Sequence, residues 1–117
     1  MPDMNSLQGK TTVSPGVLMA IAHMAAQGVP GVKAVARRRP GGTMLLRRSP
    51  AWGAQLAEHG GVVSGDMFLV IKAGFNVREV CREVQQQVAR ALQEMAGMTL
   101  DRLDLHVEDI DYEGLEA

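Results

Sequence analysis

The chain has 117 residues, a formal net charge of −1, 46% hydrophobic residues and 21% charged ones, the make-up of one soluble globular domain rather than a disordered chain. Its single cysteine, Cys81, excludes an internal disulfide and any zinc site built on paired thiolates, and a lone thiol fits a reducing cytoplasm. The polar start, Met1 to Gln8, lacks a signal-peptide pattern, and every apolar run falls far short of the ~20 residues that span a bilayer.

Residues 1–8 read as a flexible N-terminal tail, followed by one α+β domain over 9–111. Lys10 to Val13 is β-capable and is predicted as a short first strand. Ser14-Pro15 then reads as an N-cap followed by proline at the first helical position, where its missing N–H costs nothing. Val17, Leu18, Ile21, Met24 and Ala25 follow at helical spacing, and Gly28 with Pro30 stops the pattern, which predicts a helix near 15–27. Gly31 to Ala36 gives a short strand. An Arg/Gly/Pro-rich connection occupies 37–50, with a further strand signal at Thr43 to Leu46.

Gly53 to Ala57 and Val62 to Ala73 read as the arms of a hairpin turning at Glu58-His59-Gly60-Gly61. In the second arm Met67, Leu69, Ile71 and Ala73 alternate with Phe68, Val70 and Lys72. A long helix follows: Asn76 is its cap, Glu79 stands at the capping-box position, and Gly97 is its stop. Val77, Val80, Cys81, Val84, Val88, Ala91, Leu92 and Met95 share one face for about five turns. The last strand places Leu103, Leu105 and Val107 opposite Asp104, His106 and Glu108, and 112–117 forms an acidic tail. The order β-α-β-β-β-α-β predicts a mixed sheet of four to five strands with both helices packed on one face.

Chemistry is sparse along this sequence. His23, His59 and His106 have no metal-ligand companion at helical or turn spacing, and Cys81 falls on an apolar helical stripe, where an inert thiol is expected. Gly41-Gly42 and Gly60-Gly61 lack the following helix start that would bind phosphate. No catalytic, cofactor-binding or metal-binding residue is therefore expected, and no cofactor.

Charge is unevenly spread. Met4 to Ala57 contains no acid, whereas Asp101 to Ala117 contains seven acids and one base, Arg102. Within the basic half, Arg37, Arg38, Arg39, Arg47 and Arg48, with Trp52 nearby, form the one candidate anion- or partner-binding group. Its occupant is left open among nucleic acid, anionic lipid and protein.

Four blocks of the sequence together resemble a known family. Gly9-Lys-Thr-Thr-Val-Ser-Pro-Gly-Val17 looks like its opening strand and Ser-Pro helix start. Val29-Pro-Gly-Val32 is similar to the motif after its first helix. Asp66 to Ala73, Gly74-Phe-Asn-Val77, Glu79-Val80, Val84-Gln85 and Val88 resemble its central block, and Leu103-Asp-Leu-His-Val107 its closing strand. This is the alkaline shock protein family of bacterial envelope stress response proteins. The resemblance implies a cytoplasmic, non-enzymatic protein that self-associates and is held at the inner membrane face by a membrane-anchored protein partner. A small RNA- or DNA-binding module using residues 37–48 is the alternative.

Overall fold

Two side-chain caps set the helices. In the computed structural model, which describes residues 9–35 and 54–113, the first helix, α1, runs Pro15–Gln27, and Ser14 Oγ accepts a hydrogen bond from the Val17 N–H at 3.3 Å. The second, α2, runs Val77–Ala96, and Asn76 Oδ1 accepts from the Glu79 N–H at 3.0 Å. The Asn76 bond satisfies an N–H that the first helical turn leaves without a partner, and the Val17 N–H is shared between Ser14 Oγ and the Ser14 carbonyl, 3.0 Å away. At the far end of α2, Gly97 takes a left-handed conformation (φ 67°) and donates to the Gln93 carbonyl, while the Met98 N–H reaches back to the Leu92 carbonyl. That paired closure favours glycine, which bears no Cβ.

The four strands are β1 (Val32–Val35), β2 (Ala54–His59), β3 (Val62–Lys72) and β4 (Thr99–Asp111). β3 is the spine. β2 runs antiparallel to it over residues 62–67, and β1 runs antiparallel to it over residues 69–71, so the two lie end to end along one edge. β4 pairs with the whole length of β3 along the other edge, in parallel. A parallel neighbour needs a long crossover, and α2 supplies it, which makes β3–α2–β4 a βαβ unit. The β2–β3 turn is the two-residue Gly60-Gly61, both at positive φ (58° and 85°) and closed by the pair His59–Val62. Glu58 Oε2 accepts from the Gly61 N–H at 2.7 Å and fastens the turn.

Strand alternation decides where the core sits. Val63, Gly65, Met67, Leu69 and Ile71 of β3 are buried and face the helices. Leu18, Ile21, Ala22 and Ala26 of α1 and Val80, Val84, Val88 and Leu92 of α2 close over them, with Val32, Leu56 and Leu103 at the flanks. No polar or charged residue is buried among the described residues. Both helices therefore cover one face of a mixed sheet, in the α+β architecture expected.

Two expectations need correction. Lys10–Val13 forms no strand: residues 9–14 belong to no helix or strand, and the described order begins with α1. Lys10, Thr11 and Thr12 are exposed, and only Val13 reaches the core, too little apolar burial to offset the ordering of an extra edge strand. The stripe of α1 is also rotated, because Val17 and Met24 point outward, 48% and 60% exposed, while Ala22 and Ala26 take the inner positions. Small residues there let α1 approach α2, β2 and β1 closely. The expected strand at Thr43–Leu46, the connection at 37–50 and the N-terminal tail 1–8 lie outside the described residues, as does 114–117.

Candidate functional site

The face of the sheet opposite the helices carries the other phase of each strand. From β3 come Ser64, Asp66, Phe68 and Val70, all half-buried. Their partners in register on β4 are Arg102, Asp104, His106 and Asp109. On the other edge Gln55 and Ala57 of β2 face Asp66 and Ser64, and Ala34 of β1 faces Val70.

Three contacts order this face. The His106 and Phe68 rings stack with centroids 4.8 Å apart and planes at 23°, the neighbouring-strand aromatic contact that a parallel register makes available. His106 Nε2 lies 3.0 Å from Asp66 Oδ1. An ionised carboxylate only accepts hydrogen bonds, so Nε2 carries the proton. Arg102 donates to Asp104 Oδ2 at 2.8 Å along β4. These pairs are half-exposed and add little to stability, but they fix side chains that would otherwise sample many rotamers. The result is an aromatic centre with a polar, acidic border along β4.

At the end of the sheet Lys33 Nζ stands 3.3 Å from Asp111 Oδ2. The Glu113 N–H donates to Asp111 Oδ1 at 3.1 Å. That bond, with Lys33 beside it, holds the Asp111 carboxyl below its ordinary range despite some desolvation.

On the helical side, a shallow groove of about 320 Å³ lies between α1 and α2, with Met24 and Met95 at its rim. Cys81 packs half-buried against the core, and burial pushes its thiol up, which keeps it protonated and a poor nucleophile. Among the described residues, no three of His, Cys, Asp and Glu come together as a metal-binding group, and no helix is long and apolar enough to cross a membrane.

The sequence-predicted group Arg37, Arg38, Arg39, Arg47, Arg48 and Trp52 lies outside the described residues. The Asp66–His106 pair was not anticipated from the sequence, since its members stand 40 positions apart. Strand alternation places each on the polar phase of its strand, but only the parallel register of β3 with β4 brings them together.

Residues 3–112 match the profile of the alkaline shock protein 23 family, described as having a cell envelope-related function, in agreement with the resemblance carried by the four sequence blocks. The chain is 23% identical over 112 residues to the uncharacterized protein YloU of Bacillus subtilis (92% of this chain, 93% of that one). It is 28% identical over 103 residues to the uncharacterized protein Spy1535 of Streptococcus pyogenes (87% and 79%). Two solved structures titled MamM CTD share its fold, with TM-scores of 0.53 and 0.52 at 18% and 19% identity. They match 79% of this chain and 92% and 94% of theirs, and at that identity the likeness speaks for the fold alone.

Proposed function

The chain belongs to the alkaline shock protein 23 family, with its cell envelope-related function, and from that membership we propose that it is a non-enzymatic interaction module. It self-associates and docks onto protein partners at the cytoplasmic face of the membrane, where a membrane-anchored protein holds it in support of envelope homeostasis. The observation that carries this reading is the one-sidedness of the sheet. Among the described residues both helices close over one face, and the other carries Phe68 and Val70 at its middle with charged side chains around them. A surface with an aromatic centre and a polar rim is built like a protein contact. Among the described residues, nothing in its geometry pairs a nucleophile with a base.

Light scattering on the purified chain tests self-association. Oligomers whose share grows with concentration are expected, and Phe68→Glu should shrink that share while leaving the far-ultraviolet dichroism intact. A strict monomer at high concentration refutes this part of the reading. Gentle-detergent capture from the native cell tests the rest: membrane proteins should be recovered with the chain.

The competing reading, an RNA- or DNA-binding module, is favoured by five arginines between residues 37 and 48 with no acid among them. It requires affinity that falls steeply with salt and disappears when those arginines become alanine.

A further inference from the structure

We propose that the outer stripe of α1, with the groove it forms against α2, is a contact for a second copy of this chain, the two copies crossing α1 against α1 about a two-fold axis. α1 is apolar on both of its sides. Its 13 residues include no Lys, Arg, Asp or Glu. Leu18, Ile21, Ala22 and Ala26 make up the buried side, yet Val17, Ala20 and Met24 on the outward side are apolar as well and exposed. α2 differs: Arg82, Gln86, Arg90 and Glu94 are exposed along it. A helix that is hydrophobic all round belongs in an environment that covers it all round.

Shape favours a like partner. The groove of about 320 Å³ between the helices is lined by Ile21, Ala25 and Ala91, with Met24 and Met95 at its rim and both exposed. Methionine is unbranched and adapts to irregular gaps, so Met24 of one copy can enter the groove of the other. Two-fold symmetry makes that exchange reciprocal. Val17, Ala20 and Met24 stand at i, i+3 and i+7, the spacing of a seam between helices. In an antiparallel crossing Val17 of each copy meets Met24 of the other. Ala20, the smallest of the three, then lies at the axis, where the helices come closest.

Charge selects the occupant. Arg90 and Glu94, the charged residues that line the groove, pair with each other at 3.1 Å. The patch therefore has no net charge, and two copies meet there without repulsion. A charged partner finds no counter-charge. A lipid surface is a poor match too, because helices that lie in a membrane interface carry Lys or Arg on their polar face, and α1 has neither.

Size sets the strength. α1 is roughly 20 Å long and two adjacent helices are roughly 20 Å wide. Such a patch offers on the order of 400 Å² per copy, about half of a standard interface, so the contact belongs to high protein concentration. It lies on the helical layer, away from the open sheet face, and goes beyond the reading of that face without depending on it.

Methionine methyl resonances of the unaltered chain supply the first measurement. From micromolar to millimolar protein the Met24 and Met95 signals should shift together, while that of Met67, fully buried in the core, stays in place. Met24→Glu should remove the Met95 shift and leave the far-ultraviolet dichroism intact. Cross-linking supplies the second. In a Cys81→Ala chain, Ala20→Cys should form disulfide dimers about tenfold faster than Gln86→Cys, on the side of α2 that faces β4, because only the former brings two Cα atoms within disulfide reach. Met24→Glu should bring the two rates level. Signals that do not move with concentration overturn the proposal, as does linking at position 20 no faster than at position 86. Shifts caused by anionic vesicles and not by protein concentration overturn it as well and assign the stripe to lipid. Concentration shifts that persist in Phe68→Glu support a contact of its own on the helical layer. Oligomers that Phe68→Glu disperses, in a chain whose Met24 and Met95 signals never move, sink this inference and leave the reading of the open face standing.

Discussion

The covered and open faces of this sheet are built from alternating residues of the same strands, and their chemistry differs accordingly. On the covered side β3 presents Val63, Gly65, Met67, Leu69 and Ile71, all buried under two helices. On the open side the intervening residues are Ser64, Asp66, Phe68 and Val70, with β4 adding Arg102, Asp104, His106 and Asp109. The first set holds the fold together through apolar burial. The second contributes little to stability and is ordered by stacking and exposed ion pairs. One strand thus supplies the core and the opposite surface in alternate residues.

Substitutions on the two sides should separate these roles. The largest loss is expected at Leu69→Ala, which empties a fully buried position (0% exposed) and should cost about 3 kcal/mol, read as a lower urea midpoint with an unchanged slope. Next comes Gly65→Ala. A Cβ at Gly65 would run into the Gln55 carbonyl of β2, so the strands must part, and about 2 kcal/mol should be lost.

On the open side, Phe68→Ala should cost nearer 1 kcal/mol, the worth of a partly exposed aromatic stack, yet should abolish most of the self-association seen by light scattering. If Phe68→Ala destabilised the chain as much as Leu69→Ala, the division between the faces would fail.

The smallest effect is at the margin of the sheet. The folded-state value of the Asp111 carboxyl is depressed, chiefly by the hydrogen bond from Glu113 and then by Lys33. Its contribution to stability is therefore present above the ordinary carboxylate value of about 4 and is lost as pH falls through the depressed one. Asp111→Asn should lower stability slightly at neutral pH and leave it unchanged at low pH, which flattens the acid limb of the stability–pH curve; an acid limb identical to that of the parent chain would remove Asp111 from this role.

Much of the covered face was legible in the sequence because its signals are local. Ser14 and Asn76 announce their helices by side-chain chemistry that operates within three residues, and both caps form as expected. The period of two along β3 and the Gly60-Gly61 turn are likewise short-range, and they defined the hairpin. What local signals cannot carry is which strand lies beside which. That β1 and β2 share one edge, and that β4 joins β3 in parallel, depends on long-range packing through α2. The Asp66–His106 contact inherits that dependence. Lys10–Val13 failed for a related reason: β-capable residues form a strand only where an edge and enough burial await them.

The end-to-end placement of β1 and β2 has a consequence for how such a protein can vary. Each is pinned to its own stretch of β3, so the register of one is set independently of the register of the other. Each junction with β3 is a separate seam, and a slip at one need not carry into the other.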